Sequence, residues 1–349
     1  MKVRFAHETL PQRVVFASFE AAQHVAAEVA RLGASRPMVI AGGSASALAD
    51  SLAAVVRHTE VVMHVPGDVA GRARKAAEEH DVDILVSVGG GSATGLAKAV
   101  ALTTGLPILA VPTTYAGSEA TNVWGLTEGG RKITGVDARV LPRAVVYDAS
   151  LMLSLPVPLS VASGLNALAH CVDSMWAPRA DPVDQALALE GIRALRQGLP
   201  RVVRDPGGIE GREQMLYGAW LAAVAFASAG SGLHHKICHV LGGMYNLPHA
   251  QTHAVVLPYV LALNGPSVPD SERRMAAAFG AASALEGLQR LREQVDAPRA
   301  LRDYGLRETG IPAAVEAILA AVPPDNPVPV TATNLEVLLR RAWEGREPR

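Results

Sequence analysis

One stretch limits the possible folds more than any other: Asp83-Ile-Leu-Val-Ser-Val-Gly89-Gly90-Gly91-Ser92-Ala-Thr94-Gly95-Leu-Ala-Lys98. Its apolar run suits a strand buried on both faces, and it passes through three glycines into an alanine-rich segment of helical preference. Without side chains, such glycines let backbone N–H groups approach a pyrophosphate, and the start of the next helix adds a favourable dipole. Neither the G-x-G-x-x-G pattern nor the Walker lysine pattern is complete, so a tight strand-to-helix turn explains the glycines as well.

The same alternation continues on both sides. Arg36-Pro-Met-Val-Ile-Ala-Gly42-Gly43-Ser44 reads as another strand ending in glycines, with a helix expected over 46–56, a strand over 59–65 and a helix over 69–80. Pro107 to Pro112 is a further strand. It runs into Thr113-Thr114-Tyr115-Ala-Gly117-Ser118-Glu119-Ala-Thr121, whose hydroxyls could hold a cofactor or cap the next helix. Short strands are expected over 1–5 and 143–147, and Gly129 to Gly135 reads as a turn carrying Arg131 and Lys132. Leu155-Pro156-Val-Pro158 then marks a boundary. The pattern predicts an α/β, Rossmann-like dinucleotide-binding domain over residues 1–156.

From Leu159 onward alanine and leucine recur at helical spacing, which predicts an all-α domain over 157–349. Six of the 11 histidines fall between positions 166 and 253. Asn166 and His170, His235 and His239, and His249 and His253 are each four apart, so each pair shares one helix face, and Pro248 marks a break before the last pair. A lone histidine in an apolar helix is ordinarily a core residue, but three spaced pairs have the pattern of an acid–base or metal-ligand constellation.

Composition sets the outer limits. At 349 residues and 49% apolar content the chain can bury two cores. A net charge of −1 leaves no general basic surface for nucleic acid or anionic membrane, and every apolar run is broken before it could span a bilayer. Cys171 and Cys238, both beside the histidines, are expected as free thiols in a cytoplasmic protein.

Taken together, Gly-Gly-Gly-Ser at 89–92, Pro112-Thr-Thr-Tyr-Ala-Gly-Ser-Glu119, Gly164-Leu-Asn-Ala-Leu-Ala-His-Cys171 and His234-His-Lys-Ile-Cys-His-Val-Leu-Gly242 resemble the iron-containing alcohol dehydrogenase superfamily, and within it the maleylacetate reductases. The resemblance implies the iron-containing alcohol dehydrogenase/dehydroquinate synthase-like fold, NADH or NADPH as cofactor and commonly a homodimer. It places Gly90, Gly91 and Ser92 at the pyrophosphate, Thr113, Thr114, Ser118 and Thr121 around the nicotinamide half, Lys132 and Leu159 at further cofactor contacts, and Gly42 with Gly43 near the adenosine ribose. In metal-dependent members an aspartate and three histidines hold the ion, and those places correspond to Asn166, His170, His235 and His249. A neutral amide in place of the anion removes charge compensation, and the reductase branch works without metal, so no metal is expected.

The reaction implied is NAD(P)H-dependent reduction of the C=C bond of 2-maleylacetate to 3-oxoadipate, in bacterial degradation of aromatic compounds. Hydride adding β to the ketone leaves an enolate oxygen that needs a donor. His170, His235, His239, His249 and His253 are the candidates, with Asn166 and Lys236 assisting, and Lys236 or protonated imidazoles are expected to receive the substrate's carboxylates. Two alternatives stay open: a metal-dependent alcohol or aldehyde dehydrogenase on the same fold, and a non-catalytic nucleotide sensor.

Overall fold

A computed structural model describes residues 4–129 and 131–348. The chain packs into two compact units, one from Leu10 to Leu155 and one from Pro156 onward; the segment ending at Thr9 belongs to the second.

In the first unit, strands β1 (Arg13–Phe16), β2 (Pro37–Ala41), β3 (Val56–His58), β4 (Ile84–Gly89) and β5 (Ile108–Pro112) alternate with helices α1 (Ala21–Arg31), α2 (Ser46–Ser51), α3 (Gly67–Glu79) and α4 (Gly91–Thr104). An antiparallel hairpin, β6 (Val123–Glu128) and β7 (Arg131–Val136), precedes β8 (Ala144–Tyr147). The six remaining strands form one parallel sheet in the order β1-β8-β5-β4-β2-β3. Successive side chains alternate between its faces. Met38, Ile40, Leu85 and Ile108 pack with Val69 and Ala73 of α3 and Leu96 and Val100 of α4. Val39, Val86, Val88, Leu109 and Val146 pack with Val25 of α1 and Leu52 of α2. Both faces are covered, which is why the strands read as unbroken apolar runs.

Several local expectations fail here. The helix expected over 46–56 ends at Ser51, and Arg131 and Lys132, expected in a turn, lie on β7. No strand covers 59–65: β3 lies three residues earlier, because Met38 and Ile40 of β2 pair with Val56 and His58, and β2 itself ends at Ala41. Beyond that point the chain leaves the parallel sheet: His64 and Val65 turn with positive φ, and their carbonyls accept from Thr127 of β6. The strand expected over 1–5 has its first three positions outside the described residues, and Arg4 and Phe5 are irregular. Gly130 is likewise outside them.

The second unit has helices and no strand among its described residues: α5 (Val157–Ser174), α6 (Pro182–Arg204), α7 (Ile209–Ala229), α8 (Leu233–Tyr245), α9 (His249–Asn264), α10 (Pro269–Phe279), α11 (Ala284–Gln294), α12 (Ile311–Leu319) and α13 (Ala332–Glu344). Pro158 sits in the first turn of α5, where its missing N–H costs nothing, and every residue from Ser160 to Ser174 is buried. Gly191 of α6 gives α5 room: a Cβ there would lie 2.7 Å from the Cys171 sulfur. That sulfur and Cys238 are buried and unbridged, and burial pushes both thiols up. Asn246, in the left-handed conformation, ends α8, and Pro248 launches α9, so α8 folds back against α9. Leu233, Ile237 and Leu241 of α8 join Val255 and Val256 of α9 and Leu335 and Leu339 of α13 in one core. No single described helix is long and apolar enough to cross a membrane; α7 and α8 together pass on composition but are bent by 97°.

Candidate active site

Parallel pairing sets the candidate cofactor site of the α/β unit. Ala41 lies opposite Val88 and Gly89 opposite Pro112, so the carboxyl ends of β2, β4 and β5 deliver Gly42–Gly43, Gly89–Gly91 and Thr113–Thr114 side by side. Ligands of open α/β sheets bind at this edge. The Thr113 amide donates to Gly89 O at 3.0 Å. A Cβ on Gly90 would lie 2.9 Å from Thr114 Cγ2, and Gly89 has φ +151°. Any side chain at Gly90 would therefore fill the space in which the first turn of α4 presents its amides. This bare cradle fits a pyrophosphate.

The hydroxyl-rich loop after β5 is held from beneath by a lysine that sequence reasoning passed over. Lys98, buried on α4, donates to Ser118 O (2.7 Å), Thr121 O (2.8 Å), Val123 O (2.7 Å) and Thr121 Oγ1 (3.1 Å). Burial lowers its pKa to about 7, against the opposing charge of Glu119. Thr121 Oγ1 also donates to Ser118 O at 3.2 Å, so its first duty is to shape the loop. Glu119 is buried and accepts from Tyr147 Oη at 2.8 Å. At the β2 end a cavity of about 70 Å³ is lined by Gly42, Gly43, Asp50, Arg57 and Thr59 among others. No carboxylate directly follows β2 in the sequence, yet α2 brings Asp50 to the same cavity. Arg57 is pinned there through Ala49 O (3.2 Å) and Leu52 O (2.8 Å). Lys132 lies on β7 with its side chain outside the description, and Leu159 is exposed on the first turn of α5.

The helical unit by itself holds a histidine cluster built by α5, α8 and α9. His170 stacks on His235 with ring centroids 4.9 Å apart, and Phe226 of α7 lies 4.7 Å from the first ring and 4.2 Å from the second. His253 lies 4.8 Å from His235 and 4.3 Å from His249. His170, His235 and His253 are buried, whereas His239 and His249 are exposed. The helical spacings thus bring all five together, with Asn166 buried one turn before His170 and Lys236 half-buried beside His235.

Two members were missed. Asp173, fully buried, accepts from the amides of Gly232 (3.1 Å) and His235 (3.3 Å) and lies 2.6 Å from His235 Nδ1. It sits three residues after His170 on α5, a spacing that could have exposed it. His234 Nε2 meets His253 Nδ1 at 2.9 Å and Cys238 Sγ at 3.7 Å; its neighbour in sequence, His235, drew the attention instead.

Burial governs the charges. It raises Asp173 to about 7, with the surrounding amides and Lys236 opposing. It lowers His235 well below its usual range, helped by the charges of neighbouring imidazoles. Both shifts favour one neutral pair, a proton shared between Asp173 and Nδ1 and a second proton on Nε2. Burial likewise lowers His170 to about 4 and His234 to about 3. The expectation of a protonated imidazole receiving a substrate carboxylate therefore fails for the buried histidines, and Lys236 remains as the cation. Asn166 Oδ1, His170 Nδ1, His235 Nε2 and His253 Nε2 are buried without hydrogen-bond partners. So many orphaned atoms in one place mark a ligand site.

That set does not fit an iron ion. Asn166 offers no anion, and His170, His235 and His249 do not gather their nitrogens: among the described residues the trios with donor atoms all within 4.8 Å are His234–Cys238–His253 and His7–Asp181–Asp184.

Residues 11–149 match the iron-containing alcohol dehydrogenase family and residues 160–343 the Fe-containing alcohol dehydrogenase family, C-terminal. A maleylacetate reductase of Sphingobium indicum is 44% identical, with 99% of each chain covered. An iron-containing alcohol dehydrogenase of Corynebacterium glutamicum superposes with a TM-score of 0.98 at 59% identity, over 100% of this chain and 99% of that one. A maleylacetate reductase of Agrobacterium tumefaciens gives 0.94 at 41% identity, over the whole of both chains. The chain therefore belongs to the iron-containing alcohol dehydrogenase family and is an oxidoreductase similar over its full length to maleylacetate reductases.

Proposed function

We propose that this protein reduces the C=C bond of maleylacetate to give 3-oxoadipate, using NADH or NADPH and no metal. The observation that carries the reading is the Asp173–His235 pair at 2.6 Å, with an unpartnered, buried Nε2 in a cluster whose aspartate position holds Asn166. Full-length similarity to maleylacetate reductases supports the substrate.

Bound at the glycine cradle, NADH or NADPH supplies the hydride that adds to the carbon β to the substrate ketone. The displaced electron pair collects on the ketone oxygen, and His235 Nε2–H is the chain's donor to it. Asp173 holds that ring by Nδ1 and keeps the proton on the far nitrogen. Phe226 covers the ring faces of His170 and His235 and excludes water there. The enolate is completed by a proton at its carbon; exposed His249, 4.3 Å from His253, links the buried rings to solvent. Lys236 receives a carboxylate of the substrate. Arg57 beside Gly42 and Gly43 suits a 2′-phosphate, which supports use of NADPH as well as NADH. A cytoplasmic homodimer is part of the same proposal.

The test is oxidation of NADH and NADPH with maleylacetate, followed at the nicotinamide absorbance after exhaustive treatment with chelator. Turnover that survives chelation is expected. One observation favours a second reading, a metal-dependent alcohol dehydrogenase: the C. glutamicum protein of that name has the higher identity, 59%. Chelator-sensitive oxidation of simple alcohols, without turnover of maleylacetate, would establish it instead.

A further inference from the structure

Outside the histidine cluster, the start of α6 carries a second concentration of unsatisfied charge. Asp181 caps α6: its Oδ1 accepts from the amides of Val183 (2.8 Å) and Asp184 (3.0 Å). Its Oδ2 lies 2.8 Å from Nδ1 of His7, on the segment before Thr9. Asp184, in the first turn of the helix, has no exposed surface, and its carboxylate oxygens make no hydrogen bond of close geometry, with Ser228 the polar side chain beside them. His7 Nδ1 is 3.8 Å from Asp184 Oδ1. Ser228 is the other side chain that lowers the Asp184 carboxyl's pKa, while burial and the Asp181 charge raise it.

His7 is the simplest counter-ion, and it is insufficient: its Nδ1 lies 2.8 Å from Asp181 and 3.8 Å from Asp184, at most one positive charge against two carboxylates. A divalent cation meets the whole demand. Two carboxylates balance its charge, the donor atoms of all three residues already lie within 4.8 Å of one another, and Asp181 can give Oδ2 while Oδ1 keeps its cap. The His7 side chain, 17% exposed, leaves an opening for a water ligand. One nitrogen and two carboxylate oxygens suit Mn²⁺ or Zn²⁺ better than Ca²⁺ or Mg²⁺, which take oxygen ligands.

We propose that His7, Asp181 and Asp184 form a structural site for a divalent transition-metal ion, which ties the N-terminal segment to the first turn of α6. The proposal is independent of the reaction assigned to the histidine cluster.

Full-length protein stripped with chelator is titrated with Mn²⁺, and free Mn²⁺ is read by its paramagnetic resonance; melting temperature is measured with and without the ion. Wild type is expected to bind one equivalent that both Asp184→Asn and His7→Gln lose and that His249→Ala keeps, and to melt higher with Mn²⁺ while Asp184→Asn does not. Equal Mn²⁺ binding by wild type and Asp184→Asn overturns the site, and so does loss of that equivalent in His249→Ala with retention in His7→Gln.

Discussion

At the sheet edge of the α/β unit a side chain at Gly90 would be an obstruction, its Cβ 2.9 Å from Thr114; in the helical unit side chains are the whole of the site, and six of their buried polar atoms have no partner. The first region presents backbone amides and depends on what is missing. The second depends on imidazoles kept neutral by burial and on one carboxyl group that fixes a tautomer. Backbone binding of a phosphate is tolerant of sequence elsewhere but intolerant of a single methyl group. A side-chain cluster tolerates volume changes better than it tolerates loss of one proton.

This contrast predicts separable failures. The largest belongs to His235→Ala: kcat for maleylacetate reduction is expected to fall about 10²–10⁴-fold, while NADH affinity, read by nicotinamide fluorescence, stays as in wild type. A parallel loss of NADH binding would show that the ring serves the cofactor instead. Gly90→Val reverses the pattern. It should weaken NADH and NADPH binding about 100-fold or more through collision with Thr114, leaving the pH profile of the residual turnover unchanged.

The pH response comes third. The Asp173 carboxyl is raised to about 7, so the pair holds its second proton below that pH and Nε2 can donate; above it the proton leaves and the donor is lost. Reductive kcat/KM should therefore fall by about tenfold per pH unit above roughly 7, and Asp173→Asn should abolish that limb without restoring it at another pH. A profile unchanged by the substitution would remove Asp173 from the mechanism. The smallest effect is expected at Arg57→Ala, which should raise KM for NADPH about tenfold and leave KM for NADH nearly constant, since only a 2′-phosphate needs the guanidinium. Equal shifts for both nucleotides would mean that Arg57 merely supports the Ala49–Leu52 turn.

Local signals carried the expectations that succeeded. Apolar runs ending in glycine marked β2 and β4, because a strand covered on both faces needs no polar alternation. Asn166 with His170, His235 with His239 and His249 with His253, each pair four apart, marked the shared faces of α5, α8 and α9, because helical spacing is a property of the chain alone. Val56 to His58, by contrast, is a strand only because β2 lies beside it, and pairing partners are not written into either segment.

The amino-acid order by itself determined the two-part architecture, the bare phosphate cradle and the set of imidazoles on offer. Tertiary structure decided what those groups can do. Asp173 is an ordinary carboxylate until α5 and α8 bury it against His235, and Lys98 an ordinary helix lysine until the loop from Ser118 to Val123 closes over it. Charge and proton position depend on the dielectric and on neighbours distant in the chain, and these come into being when the helices pack.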